Sequence, residues 1–252
     1  MSRDAWPPGV GRIVLDAVDS TNAEAARVAR FLTEPTWIMA HVQTAARGRR
    51  GRVWAMPPGN FAATLLMRPD GLPAVVALRS FVAALALYDA CVAVSGRAES
   101  FALKWPNDVL LNGGKLAGIL LESAGQARGV SHLAIGIGVN LAAAPDAGAV
   151  EEGALRPVSL LGETGISVTP EDFLSLLAPA FAHWETRLLA EGFAPIRMAW
   201  LERAARLGER LVARTGSATY DGRFEAIDDR GALVLVTPDG RKVIAAADVF
   251  FG

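Results

Sequence analysis

Short β-type runs alternate with polar corners over the first third of the chain. Ile13 to Val18, Thr36 to Val42 and Asn60 to Met67 each predict a strand. Between the first two, Thr21 and Glu24 stand at capping-box spacing, which predicts a helix from about Asn22 to Phe31 with Thr21 as its cap. Trp54-Ala55-Met56-Pro57-Pro58-Gly59 reads as a turn. Ala74 to Val94 is apolar nearly all round and rich in alanine and leucine, which predicts a buried central helix. Phe101 to Trp105 is strand-like and stops at Pro106, which has no N–H for a ladder. Asp108 to Leu111 and Lys115 to Glu122 flank Asn112-Gly113-Gly114, a hairpin signal. Ser131 to Leu141 is a further strand, and Gly136 and Gly138 leave one of its faces bare, as happens where a ligand or another backbone approaches closely. A Pro/Ala/Gly-rich connection, Ala142 to Pro157, leads to helices over about Pro170 to Ala190 and Pro195 to Ala205. Phe173, Leu176, Leu177, Phe181 and Trp184 fall at helical spacing and are assigned to the core.

The texture changes at Gly208. Arg210 to Arg214, Arg223 to Ile227, Ala232 to Val236 and Lys242 to Ala245 are short strands separated by tight turns, the pattern of a small barrel. A boundary at Leu207 divides the chain into a domain over residues 1–207 and a smaller one over 208–252. The length of 252 residues suits that division, and 52% hydrophobic against 20% charged residues is the balance of a folded protein. A formal net charge of −1 excludes a chain that binds polyanions with its whole surface, so anion binding must be local. The lone Cys91 sits in an apolar run and predicts a buried, inert thiol. The first residues carry charges and prolines where a secretion signal needs an apolar core. Leu72 to Val94 is interrupted by Arg79, Ser80 and Asp89, so a core helix is expected there and not a membrane span; a soluble cytoplasmic protein is the expectation.

Positive charge concentrates in Gln43-Thr44-Ala45-Ala46-Arg47-Gly48-Arg49-Arg50-Gly51-Arg52. Arginine offers a planar fork of donors to phosphate or carboxylate, and glycine lets backbone approach an anion. Alone, the run fits a solvated basic face or a nucleic-acid patch as well as a phosphate loop. Three other polar groupings accompany it. Ser20, Thr21 and Asn22 sit at a predicted helix N-terminus, where free N–H groups can meet a polar ligand. Lys104-Trp105-Pro106-Asn107-Asp108 makes a polar corner between strands, and Lys115 opens the apolar strand that contains Gly118. Gly136-Ile137-Gly138-Val139-Asn140 ends a strand in an amide.

These segments, in this order over residues 13 to 141, resemble the biotin–protein ligases, also called biotin–[acetyl-CoA-carboxylase] ligases or holocarboxylase synthetases. The resemblance implies an α+β fold: a mixed sheet with packed helices, like class II aminoacyl-tRNA synthetases, followed by an SH3-like barrel. It implies that biotin and ATP, with Mg²⁺, give biotinoyl-5′-AMP and pyrophosphate, after which a lysine of a biotin carboxyl carrier domain takes the biotinyl group and releases AMP. By this match Lys115, Arg49 and Asp108 are catalytic. Ser20, Thr21, Asn22, Gln43, Arg47, Gly48, Arg49, Lys115 and Gly118 face biotin, and Arg49, Arg50, Trp54, Asn107, Lys115 and Asn140 face ATP. No metal ligands are assigned.

Two departures from the family pattern stand out. Ala46 occupies a position where many members have glycine, which would stiffen the loop. Only about a dozen residues precede the first strand, too few for the operator-binding winged helix of many members, so a ligase without repressor function or specific DNA binding is expected. A homodimer is compatible with the family. The alternative within the same fold is a lipoate or octanoate ligase or transferase, and from another class a nucleic-acid-binding module; the Arg-Gly loop together with the Lys-Trp-Pro-Asn-Asp corner fits the biotin branch better.

Overall fold

The computed structural model describes residues 5–126, 129–145 and 154–251; the middle of the Pro/Ala/Gly-rich connection, 146–153, lies outside the described residues. Its larger part is built on a seven-stranded sheet of β1 (Gly11–Val18), β2 (Thr36–Gln43), β3 (Phe61–Met67), β4 (Phe101–Lys104), β5 (Asp108–Leu111), β6 (Gly114–Gln126) and β7 (Gly129–Val139). The spatial order is β1-β2-β3-β7-β6-β5-β4, with β1 parallel to β2 and the other pairs antiparallel. The β5–β6 turn is the one the sequence signals. Asn112 and Gly113 both take positive φ, as a tight two-residue hairpin demands.

Alternation along the strands assigns the two faces. Trp37, Met39, Leu65, Ile135 and Ile137 join the main core, whereas Ile38, Leu66 and Ala134, each one residue out of phase, face the other way. The main face is covered by α3 (Arg79–Ser95), α5 (Pro170–Glu191) and α6 (Phe193–Leu201). The opposite face receives α1 (Thr21–Val28) over a small cluster of Ala25, Ala29, Ile38, Leu66 and Ala134. That second face has little side-chain volume to bury, and the space left beside α1 becomes the site.

Several sequence expectations need adjusting. Helix α1 begins at Thr21, with Ser20 at the cap position and no side-chain capping bond, because the Thr21 hydroxyl is directed to Gln43. The predicted Ala74–Val94 helix is two pieces, α2 (Pro73–Val76) and α3, with three-residue hydrogen bonds from Ser80 to Ala77 and Phe81 to Leu78 tightening the junction. Pro73–Ser95 is long and apolar enough to cross a membrane by composition, but it is two-thirds buried between the sheet and α5, as a core helix is. Cys91 within it is fully buried, and burial pushes its thiol well above the ordinary range. Of the core residues expected in α5, Leu176 is only half-buried while Phe173, Leu177, Phe181 and Trp184 are inside.

After a short helix, α4 (Leu160–Thr164), and the α5–α6 pair, the chain forms a five-stranded antiparallel sheet in the order β11-β10-β9-β8-β12. Its strands are β8 (Arg210–Arg214), β9 (Thr219–Ile227), β10 (Leu233–Thr237), β11 (Gly240–Ile244) and β12 (Asp248–Phe251). Strand β12 is absent from the sequence reading, which stops at Ala245; four residues at the end of the chain, pairing back with β8, carry too little alternation to announce themselves. This sheet shares its interior with the larger part. Leu211, Phe224, Leu233 and Leu235 belong to the same cluster as Phe81 and Trp200, and the Trp105 indole donates to the Gly231 carbonyl at 3.0 Å.

Phe173 is fully buried and meets Phe61 edge-on at 5.1 Å, joining α5 to β3. Phe173→Ala should cost about 3–5 kcal/mol of stability through lost burial and an unfilled cavity. Urea denaturation followed by circular dichroism measures it; a loss under about 1 kcal/mol would mean that α5 is not a main support of the sheet.

Candidate active site

One cavity of about 440 Å³ opens on the α1 face of the sheet. Its floor is neutral and polar. The Thr21 N–H and hydroxyl both point at Gln43 Oε1, at 2.8 and 3.2 Å. Thr64 Oγ1, fully buried in β3, lies 2.6 Å from Asn22 Oδ1 and 2.8 Å from Thr21 Oγ1. The Asn22 amide donates to Glu122 Oε2 at 2.7 Å, so its oxygen is the acceptor turned to Thr64. Ser20, Thr21 and Asn22 are each about 5% exposed, which is unusual for such residues unless something polar is matched there. A donor–acceptor set fixed this firmly suits a compact neutral ligand group with both hydrogen-bonding senses.

The other end of the cavity is cationic. Asp108, at the start of β5, lies between two ammonium groups, with Lys115 Nζ 2.7 Å from Oδ1 and Lys104 Nζ 3.6 Å from Oδ2. Lys104 is 9% exposed; burial lowers its pKa, Asp108 opposes that, and the charge of Lys115 adds to the lowering. Arg49 reaches the same corner, donating to Asn107 Oδ1 at 3.3 Å, while the Asn107 amide is itself anchored on the Ile119 carbonyl at 2.7 Å. Burial lowers Arg49 from the ordinary guanidinium value, and Asp248 and Asp108 counter it. An acid held between two lysines and facing an arginine leaves net positive charge, a site for a phosphate or a carboxylate.

Between the two ends runs the bare patch. Gly118 of β6 and Gly138 of β7 are directly paired, and the Trp54 indole lies on them. A Cβ at Gly138 would come 2.7 Å from Trp54 Nε1, and one at Gly136 would overlap Asn22 Oδ1. The glycines thus admit two of the chain's own side chains, and Lys115 Nζ stands 5.7 Å from the Trp54 ring centroid. The Arg-Gly stretch forms the rim: Arg47 spans to Glu122 at 3.7 Å, and Arg49–Gly51 is one 3-10 turn.

The structure gathers Ser20, Thr21, Asn22, Gln43, Arg47, Gly48, Arg49, Trp54, Asn107, Asp108, Lys115, Gly118 and Asn140 around this one cavity. Arg50 is the exception: its backbone is left-handed, φ 57°, and its guanidinium turns to Asp248 at 2.7 Å and does not line the cavity. Asn140 lines it, and its amide is held in place by donating to the Val158 carbonyl at 3.0 Å and accepting from Asn60 at 3.4 Å, which fixes a chain crossing at the cavity wall. Four residues escaped the sequence reading. Thr64 is a hydroxyl inside an apolar strand, a signal that was available. Glu122 lies within the strand of Lys115, Asn60 clamps the N–H groups of Ala142 and Ala143, and Asp248 comes from the unpredicted β12. Only the tertiary fold brings Asp248 to the cavity lining and sets Glu122 and Asn60 behind it, on Asn22 and Asn140.

Residues 14–140 match the model of the biotin/lipoate A/B protein ligase family, and residues 207–252 match that of the biotin protein ligase C-terminal domain. The chain is 63% identical over 239 residues to a biotin–[acetyl-CoA-carboxylase] ligase of Paracoccus denitrificans, covering 95% of this chain and 100% of the relative. It is 33% identical to the bifunctional ligase/repressor BirA of Bacillus spizizenii, over 95% of this chain and 74% of that one. In fold it is similar to the biotin protein ligase from Aquifex aeolicus in complex with biotin and ATP, with a TM-score of 0.81 at 23% identity, covering 96% and 99% of the two chains.

The bare patch can be tested directly. Gly136→Ala should push Asn22 off Thr64 and cost about 1–3 kcal/mol in lost buried hydrogen bonds and strain. Gly216→Ala, where nothing lies within 4 Å, should be close to neutral. Equal melting temperatures for the two variants would mean that Asn22 is not locked in the floor.

Proposed function

This chain belongs to the biotin/lipoate A/B protein ligase family, and we propose that it activates biotin with ATP and transfers it to a lysine of a biotin carboxyl carrier domain, as a biotin–[acetyl-CoA-carboxylase] ligase. The observation that carries this reading is the continuity of one cavity from a neutral, doubly hydrogen-bonding floor to a cationic corner. The floor suits a ureido head, which needs donors and acceptors together; left unmatched when buried, such a group costs about 1–3 kcal/mol. The corner suits a carboxylate meeting a phosphate.

In the first step a biotin carboxylate oxygen attacks the α-phosphorus of ATP. A C–O–P linkage forms, the bond from the α-phosphorus to the bridging oxygen breaks, and pyrophosphate leaves with that electron pair. Two anions must approach and a more concentrated negative charge develops, so fixed cations lower the barrier. Lys115 and Arg49 supply them, Asp108 orients Lys115 through their ion pair, and Asn107 orients Arg49. In the second step the neutral amine of the acceptor lysine attacks the acyl carbon. The acyl C–O bond breaks, AMP departs, and the nitrogen loses its proton.

The resemblance also brings Mg²⁺. Among the described residues no three His, Cys, Asp or Glu side chains gather into a ligand set, and the carboxylate nearest the corner, Asp108, is engaged by two lysines. These residues do not fit a resident metal, and a divalent ion would travel on the ATP phosphates, where such ions keep few protein ligands. The reading carries no operator binding. It is supported by full-length alignment with a relative named as a ligase alone. A cytoplasmic location goes with the same reading.

Incubation with biotin, Mg-ATP and an isolated biotin-acceptor domain should raise the acceptor's mass by one biotinyl group, and lipoate in place of biotin should leave it unchanged. Transfer of lipoate but not biotin would move the protein to the other branch of the family.

Lys115→Ala should lower pyrophosphate release about 10²–10³-fold or more, the range for removing one group that stabilises developing charge. Circular dichroism should be unaltered, since Lys115 is a third exposed. A near wild-type rate in the folded variant would remove Lys115 from the chemistry.

A further inference from the structure

Four arginines lie within six positions of the rim, yet they do not share one fate. Arg47 pairs with Glu122 of β6. The other three converge on Asp248, the first residue of β12 in the C-terminal sheet. Its carboxylate is 2.7 Å from Arg50, 2.9 Å from Arg52 and 4.0 Å from Arg49, and its side chain is only 15% exposed. Arg49 is further drawn toward this strand by a donated bond to the Ala247 carbonyl at 3.4 Å. Both close guanidinium groups take Oδ2, whereas Arg49 faces Oδ1 only at the limit of ion-pair distance and turns its other contact to Asn107 at the cavity.

We propose that Asp248 is a positioning residue of the ligase: through Arg50 and Arg52 it ties the arginine loop to the C-terminal sheet, and so presents Arg49 to the phosphate of ATP and of the adenylate. One acid thereby sorts chemically equivalent arginines into anchors and a ligand-facing group. Without it, Arg49, Arg50 and Arg52 repel one another within one short turn, and the loop has little apolar surface to hold it, since Val53 beside it is 88% exposed. Repulsion of this kind would leave such a loop mobile until an anion arrives; Asp248 supplies an anion from within the chain. The inference rests on the ligase reading for its kinetic arm only, because the order of the loop is measurable in the protein without substrates.

The test uses Asp248→Asn, which keeps size and removes charge. In the empty protein, limited proteolysis after Arg47 to Arg52 should become about tenfold faster, with the melting temperature and cleavage elsewhere unchanged. In the kinetic arm, KM for ATP should rise about tenfold with KM for biotin little changed, and more biotinoyl-AMP should escape before transfer. Asp248→Glu should restore part of each effect. Should Asp248→Asn not fold, Arg50→Met cuts the same tie from the other side and should speed loop cleavage alike. Unaltered loop cleavage in a folded variant, or a lower KM for ATP, would overturn the proposal, the latter by making Asp248 a competitor of the phosphate. Faster cleavage in a protein that neither activates nor transfers biotin would keep the tie and sink the ligase reading instead.

Discussion

Five cationic side chains line one cavity, and their mutual repulsion is offset by anions placed among them. Three carboxylates perform this, each from a different strand: Asp108 of β5 between Lys104 and Lys115, Glu122 of β6 on Arg47, and Asp248 of β12 on the remaining loop arginines. The seven-stranded sheet brings the first two together, and docking of the second sheet adds the third. The compensation is deliberately short of neutral: fewer acids than bases leaves the corner positive, and that residual charge is the site's affinity for anionic ligands.

The neutral end depends on a complementary economy of bulk. Gly118, Gly136 and Gly138 remove side chains from the sheet face where Asn22 and Trp54 settle, and Thr64 turns an apolar strand into a hydrogen-bonding surface at one point. Loss of a Cβ weakens a strand intrinsically. Here each glycine strand is held between neighbours on both sides, so the cost falls where the sheet is best able to bear it.

Much of this was legible in the residues, and the limits have physical reasons. The strands that carry the site were located as short apolar, β-branched runs bounded by turn residues, since β3 and β5 are buried at every position and β2 over most of its length. The Asn-Gly turn was found because positive φ at two successive positions restricts the residue types so tightly. Helix α1 was placed, but its cap was misassigned: Thr21 has the right chemistry for a cap, and sequence cannot reveal that Gln43, 22 positions on, competes for its hydroxyl. The partners that hold the Asn140 amide, Asn60 and Val158, were hidden for the same reason, being distant in the chain. Arg50 could not be told from Arg49 by composition; the left-handed turn between them separates their directions. The charge on the loop was evident, whereas Asp248, almost two hundred positions later, was not.

The two sheets do not meet as separately folded bodies. Phe81 touches Trp200 and Phe193 edge-on at 5.5 and 5.1 Å, Gly231 of the smaller sheet leaves no room for a Cβ beside Phe81, and the Trp105 indole crosses to the Gly231 carbonyl. Apolar side chains from both sides therefore leave water in a single event. Such a molecule should melt in one cooperative transition, and loss of the buried apolar side chains of the terminal strands, as distinct from a charge at their rim, should cost global stability. Loss of the smaller sheet would therefore uncover core beneath the larger one and, if Asp248 holds the arginine loop as proposed, release that loop in the same event.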